Sequence, residues 1–173
     1  MGSNMAASLE EIVQRQETEQ TFYKVNVAMT CYNQKDCIGK AIDSVLAQKT
    51  DFPYLIVIGD DASTDGSMEL LREYERRFPE KIKVIRQEKN KGINENRRTV
   101  FAGCEAPYIA MLDGDDFYTD EEQLQRKFDF LTENHDYIGY FTGGGTRRKT
   151  EQYPNKRILK KDSASICFPE RKR

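Results

Sequence analysis

Three carboxylates stand within four residues at Asp113-Gly114-Asp115-Asp116, directly after the apolar run Tyr108-Ile109-Ala110-Met111-Leu112. The run reads as a buried strand, which places the acids at its C-terminal tip. In an open α/β sheet, ligands bind outside the carboxyl ends of the strands. Mg²⁺ and Mn²⁺ take oxygen ligands and commonly join one or two carboxylates to substrate phosphates. The stretch is therefore a candidate metal–diphosphate site. A solvated acidic turn capping the next helix is the structural alternative.

Three other segments end in polar sets. The first closes on Thr30-Cys31-Tyr32-Asn33 and the second on Gly59-Asp60-Asp61-Ala62-Ser63-Thr64-Asp65-Gly66. The third is followed by Asn90-Lys91-Gly92, with Arg97 and Arg98 a helical turn or more beyond. Together they offer carboxylates for a base or a metal, an aromatic for stacking, and arginines for phosphate. No Gly-rich dinucleotide turn follows the first strand, and there is no GxxxxGK[ST] loop and no GxSxG elbow. Phosphate would be held by metal and arginine, not by a glycine cradle.

The elements that must position these sets follow from periodicity. Val25, Val27 and Met29 alternate as a first strand, and Ile38, Ile42, Val45 and Leu46 recur at helical spacing. Tyr54 to Ile58 is an uninterrupted apolar run, the pattern of a strand covered on both faces. Met68, Leu71, Tyr74 and Phe78 mark a helix that Pro79 stops, and Ile82, Val84 and Ile85 a third strand. Ile93, Arg97, Val100, Phe101 and Cys104 line a third helix, and Tyr108 to Leu112 is the fourth strand. A helix between Asp120 and Asn134 and a short strand from Tyr137 to Phe141 follow. Alternating strands and helices predict an α/β fold with a mostly parallel sheet and helices on both faces. Residues 1–22 read as a leader, with an expression remnant at Met1-Gly2-Ser3 and a weak helix over Ser8 to Gln20; 23–146 is the folded domain and 147–173 a basic C-terminal segment.

The chain has 173 residues, about one domain. It carries no secretory signal and no apolar run near the ~20 residues that span a bilayer. Four cysteines without a CxxC pair, and a single histidine, do not make a zinc pattern. Free thiols predict a cytoplasmic location. Residues 147–173 hold ten Lys/Arg against three Asp/Glu, a balance of +7, while the first 146 residues balance to −9. Such a tail is either a solvated segment or a peripheral contact to anionic lipid at the inner membrane face, or to an anionic acceptor. The acidic body gives no support to nucleic-acid binding.

The set Val27-Ala28-Met29-Thr30-Cys31-Tyr32-Asn33, Asp60-Asp61-Ala62-Ser63-Thr64-Asp65, Asn90-Lys91-Gly92 and Asp113-Gly114-Asp115 resembles the family 2 glycosyltransferases, over roughly residues 24 to 142. The resemblance implies the GT-A nucleotide-diphospho-sugar transferase fold, with the C-terminal acceptor part short or missing here. It implies an inverting, metal-dependent transfer from a nucleotide-diphospho-sugar, UDP-linked by preference, to a saccharide or lipid-linked acceptor in polysaccharide or glycolipid assembly. By the same resemblance, Thr30 and Tyr32 frame the nucleobase and ribose, and Asp61 accepts from the base with Asp60 supporting the turn. Arg97 lies near base and phosphates, Asp113 with Gly114 near ribose or donor sugar, and Asp115 is the ligand of Mg²⁺ or Mn²⁺.

Each residue also has a structural role open to it. Tyr32 can pack, Asp65 can cap a helix, Asp116 can cap a turn, and Arg98 can be a solvated charge. His135 is expected at a helix end. The general base of an inverting transfer has no recognisable place: beyond Thr146 only Glu151, Asp162 and Glu170 are acidic. The chain therefore reads either as the donor-binding half of a longer enzyme or as a non-catalytic nucleotide-sugar-binding module. A nucleotidyltransferase would want a Gly-rich phosphate loop where Thr30 to Asn33 stands.

Overall fold

The computed structural model describes residues 23–141 and 157–160. The expected leader helix, the Gly143-Gly144-Gly145 loop and most of the basic segment lie outside these residues. The described elements run β1 (Val25–Cys31), α1 (Lys35–Leu46), β2 (Tyr54–Asp60), α2 (Ser67–Arg77), β3 (Ile82–Arg86), α3 (Ile93–Ala102), β4 (Tyr108–Met111), α4 (Gln123–Glu133), β5 (Tyr137–Phe141) and β6 (Arg157–Lys160). They form two compact units that divide after Glu121.

The first unit holds a parallel sheet in the order β3-β2-β1-β4. Parallel neighbours cannot be joined by a tight hairpin, so a helix crosses over between successive strands. All seven residues of β1 are buried, as a strand covered on both faces requires. On one face Ala28 and Val57 cluster with Val100 and Cys104, so α3 covers that side. On the other, the Tyr54 hydroxyl donates to the Val45 carbonyl of α1 at 2.9 Å. The Tyr74 hydroxyl of α2 donates to Asp43 Oδ1 of α1 at 2.8 Å, tying those helices together. Helices on both faces are thus present, as expected.

One buried polar residue sets the approach to β4. Asn26, 1% exposed, accepts the Glu105 and Ala106 N–H groups on Oδ1 at 2.8 and 2.7 Å. A side chain inside β1 thereby fixes the turn into the strand that carries the acidic cluster.

Two expectations need correction. The run Tyr108 to Leu112 is not buried throughout, because Ile109 and Met111 are 39% and 49% exposed. β4 is an edge strand, and α3 packs on β1 and β2, leaving one side of β4 open. Ile93 is not on the core face of its helix but 53% exposed. It sits in the first turn, beyond the strand ends, and the buried stripe runs through Asn96 and Val100 to Cys104.

In the second unit β5 pairs antiparallel with β6 in a separate two-stranded sheet. The Phe130 ring of α4 lies 5.3 and 5.1 Å from those of Tyr137 and Tyr140. His135 is exposed just past α4, at the helix end where it was expected.

Candidate functional site

The strand order creates a switch point. The chain steps outward from β1 through β2 to β3, then returns to the other side of β1 for β4. Ligand crevices in open α/β sheets lie at such a reversal, outside the strand carboxyl ends. Here that place belongs to Thr30 and to Asp113-Gly114-Asp115-Asp116.

The β1–β4 ladder continues past Met111, since the Leu112 and Gly114 N–H groups donate to Ala28 and Thr30 carbonyls, both at 3.1 Å. The Asp116 N–H then returns to the Asp113 carbonyl at 2.9 Å and closes a turn. Gly114 is required by space: a Cβ there would collide with Gln34 Oε1 and lie 2.7 Å from the Thr30 carbonyl. Asp113 Oδ1 accepts from Thr30 Oγ1 at 3.2 Å and from Arg97 Nη2 at 3.3 Å. Asp115 and Asp116 remain exposed.

The paired acids at the end of β2 divide their work. Asp60 is fully buried and its Oδ2 accepts the Ser63 N–H at 3.1 Å, which supports the turn. Asp61, 2% exposed, accepts the Lys91 N–H on Oδ1 and the Gly92 N–H on Oδ2, each at 2.8 Å. It therefore joins the loop after β2 to the loop before α3.

Asp65 fastens the first two loops. Its Oδ2 accepts the Lys35 N–H at 2.9 Å, and its Oδ1 accepts the Ser67 N–H and hydroxyl at 2.9 and 2.6 Å. Ser67 Oγ in turn accepts the Gln34 N–H at 2.9 Å, and Asn33 exchanges bonds with Ser63 Oγ and the Thr64 N–H. Free backbone donors at the starts of α1 and α2 are met by one shared cluster. Asn33 and Ala62 take positive φ values of 51° and 59° to make it. The Ser67 hydroxyl bond, ahead of the backbone bonds, holds the Asp65 carboxyl below its usual range.

Arg97 owes its place to its helix neighbour Asn96. Asn96 Nδ2 donates to the Gly59 carbonyl of β2 at 2.7 Å. A Cβ on Gly59 would lie 2.5 Å from both Asn96 Oδ1 and Val100 Cγ2, so α3 sits directly on that bare backbone. Arg98 pairs instead with Glu95 at 3.0 Å on the exposed side of the helix.

Burial, then the Asp60 charge, pushes the Cys31 thiol up to about 11. Cys37 is also raised, by burial first and then by Asp115, Asp36 and Asp65. Thr30, Arg97 and Asp113 thus meet directly, and Asp61 secures the third loop. Tyr32, 48% exposed, is no core-packing aromatic.

The glycosyl transferase family 2 model matches residues 26–172, most of the chain. The chain belongs to glycosyl transferase family 2. Among curated members, it is 30% identical over 120 residues to the putative glycosyltransferase EpsE of Bacillus subtilis, a match covering 69% of this chain and 42% of EpsE. It is 33% identical over 109 residues to the putative teichuronic acid biosynthesis glycosyltransferase TuaG of Bacillus subtilis, over 63% and 42% of the two chains. The chain thus spans less than half the length of these relatives. Among solved structures, S. aureus TarS 1–349 in complex with UDP superposes with a TM-score of 0.62 at 28% identity, covering 75% of this chain and 38% of that fragment. The parallel sheet with its helices is the GT-A fold.

A divalent cation fits the chemistry of this family 2 site. Asp113 and Asp115 supply hard oxygen donors two residues apart on a fixed turn, and only Oδ1 of Asp113 is engaged by Thr30 and Arg97. Among the described residues, no three His, Cys, Asp or Glu side chains converge to hold an ion. An ion would complete its shell with substrate oxygens and water, as Mg²⁺ commonly does.

Sequence reasoning passed over Asn96 and Asn26 as joints of the site; it read Asp65 as a helix cap, which its bonds to Ser67 bear out, but not its reach to Lys35. Asn96 carried a usable signal, a carboxamide four residues before Val100 on an apolar stripe. Asn26 carried another, a polar residue between Val25 and Val27.

Proposed function

We propose that this chain binds a nucleotide-diphospho-sugar, UDP-linked by preference, and supports transfer of its sugar to a saccharide or lipid-linked acceptor with inversion. The observation that carries this reading is the Thr30–Asp113–Arg97 contact at the sheet's switch point, with the exposed Asp115 carboxylate beside it. TarS, a similar family 2 protein, has been crystallised with UDP and with UDP-GlcNAc, which supports a uridine donor.

The roles follow from position. Tyr32 offers a ring face to the base at the end of β1. Asp61, with both oxygens on Lys91 and Gly92, retains lone pairs for a ring N–H of the base. Arg97 brings a guanidinium to the diphosphate and trades part of its pairing with Asp113 for a charge-assisted bond. Asp115, with Asp113, would hold Mg²⁺ or Mn²⁺, which when bound neutralises charge on the departing diphosphate. The base that takes the acceptor proton is not among the residues assigned. The protein would act in polysaccharide assembly at the cytoplasmic side of a membrane, with the basic segment approaching anionic head groups.

Titration of UDP and UDP-sugars by calorimetry, with and without Mn²⁺, tests the reading. Metal-assisted binding that Asp115→Asn abolishes is the expected result. Binding indifferent to metal, or unchanged in Asp115→Asn, would overturn it. Donor binding without transfer to any acceptor would favour a non-catalytic binding module.

A further inference from the structure

The residues that follow the acidic turn run as a strap along α1. The Phe117 ring lies under Lys40 Nζ, 3.4 Å from its centroid. The Tyr118 N–H donates to Ser44 Oγ at 3.0 Å, and the Tyr118 side chain is buried. Gln48 Nε2 donates to the Asp120 carbonyl at 2.8 Å, and the Lys49 N–H to the Glu121 carbonyl at 2.7 Å. Lys40 and Ser44 are spaced by four on one face of α1, and Gln48 follows just past the helix end. At the other end of the acidic turn, Gly114 is pinned to Thr30 and pressed against Gln34, the residue just before α1.

Asp115 and Asp116 thus form a short arch between fixed points at Gly114 and Phe117, braced from within by the Asp116 N–H bond to the Asp113 carbonyl. A carboxylate on a loose loop must lose conformational freedom when it captures an ion. One on an arch held at both ends has lost it already, and its affinity gains accordingly.

We propose that Lys40 and Ser44 of α1, with Gln48 just past its end, preorganise Asp115, and that Ser44 is the central positioning residue of the metal–diphosphate site. The inference rests on the reading of Asp115 given above. Ser44 touches no candidate ligand group; it acts by accepting the Tyr118 N–H while its own hydroxyl donates to the Ala41 carbonyl at 2.7 Å. Ser44→Ala removes that acceptor and leaves the other pins in place.

The test is calorimetric titration of UDP into the full chain with and without Mn²⁺, for wild type, Ser44→Ala, Ser44→Thr and Lys40→Ala. Ser44→Ala is expected to lose about three- to tenfold of the Mn²⁺-dependent gain in affinity, the range that one hydrogen bond supplies. Its affinity for UDP without metal stays that of wild type. Ser44→Thr keeps the hydroxyl and restores the gain, and Lys40→Ala, on the exposed side of the helix, loses part of it. Amide hydrogen exchange without nucleotide or metal should show faster exchange at Tyr118 in Ser44→Ala and not in Ser44→Thr. A wild type that shows the Mn²⁺ gain, with Ser44→Ala and Lys40→Ala matching it, overturns the strap and leaves the metal reading standing. A wild type with no Mn²⁺ gain overturns both.

Discussion

Asp61 and Gly92 are 31 residues apart in the chain, yet the Gly92 N–H points straight at Asp61 Oδ2 from 2.8 Å. With the matching bond from Lys91, one carboxylate holds the start of the helix that delivers Arg97. Asp61→Asn turns one of these acceptors into a donor facing a donor. Hydrogen bonds to charged groups are worth about 1.5–3 kcal/mol, so the variant should lose about 2 kcal/mol of stability. Urea denaturation followed by circular dichroism measures the loss. UDP affinity should fall with it, because Arg97 is no longer held at Asp113.

Gly59→Ala should be destabilising although alanine is the smallest addition. The new methyl has nowhere to go between Asn96 and Val100. Overpacking of this kind typically costs about 1–3 kcal/mol. Combining it with Asn96→Ala removes one of the two obstructing atoms. The double variant should therefore be less unstable than the two single losses added together. Thermal melts of the four proteins in this cycle decide the point.

The acid limb of stability should carry the signature of Asp65. Its folded-state value lies below the ordinary 3.8. A depressed carboxylate contributes fully above its unfolded value, and the contribution fades as pH falls through the folded value. Wild type should melt above Asp65→Asn near pH 7, and the gap should close as pH falls below 3.8. A gap independent of pH would remove Asp65 from this role.

Thiol chemistry reports on the neighbourhood of Asp115. Cys31 and Cys104 are buried and Cys31 is held up to about 11, so neither should label in the native protein near pH 8. Cys37 is partly exposed and held up first by burial and then by Asp115. Asp115→Asn should therefore raise the rate of Cys37 alkylation, followed by peptide mass spectrometry. An unchanged rate would remove the Asp115 charge as a cause of the raised Cys37 thiol.

Much of this was legible because the parallel sheet is written in apolar runs. Tyr54 to Ile58 announced a strand covered on both faces, the alternation of Val25, Val27 and Met29 announced another strand, and the polar sets after them announced one working edge. The exposed side of β4 was not legible, since Ile109 and Met111 look like core residues until the sheet order makes theirs an edge strand. Asp61 was expected to face a base; its bonds to Lys91 and Gly92 depend on where another loop lands, which no local pattern encodes. The strap under α1 is of the same kind. Lys40 and Ser44, with Gln48 just past the helix end, look like the solvent face of an amphipathic helix, and only the path of residues 117–121 gives them work.

The contact between Thr30 and Asp113 closes over 83 residues, whereas Asp61 reaches Lys91 and Gly92 across about a third of that distance. Distant pairings form late, because their loop entropy is lost before the contact returns anything. β1, β2 and β3 can join the loops after them among themselves. The acidic turn joins only when β4 docks on the far edge of β1. During synthesis, then, the loops after β2 and β3 can fasten to each other before the acidic turn docks, and the candidate site is completed from one side.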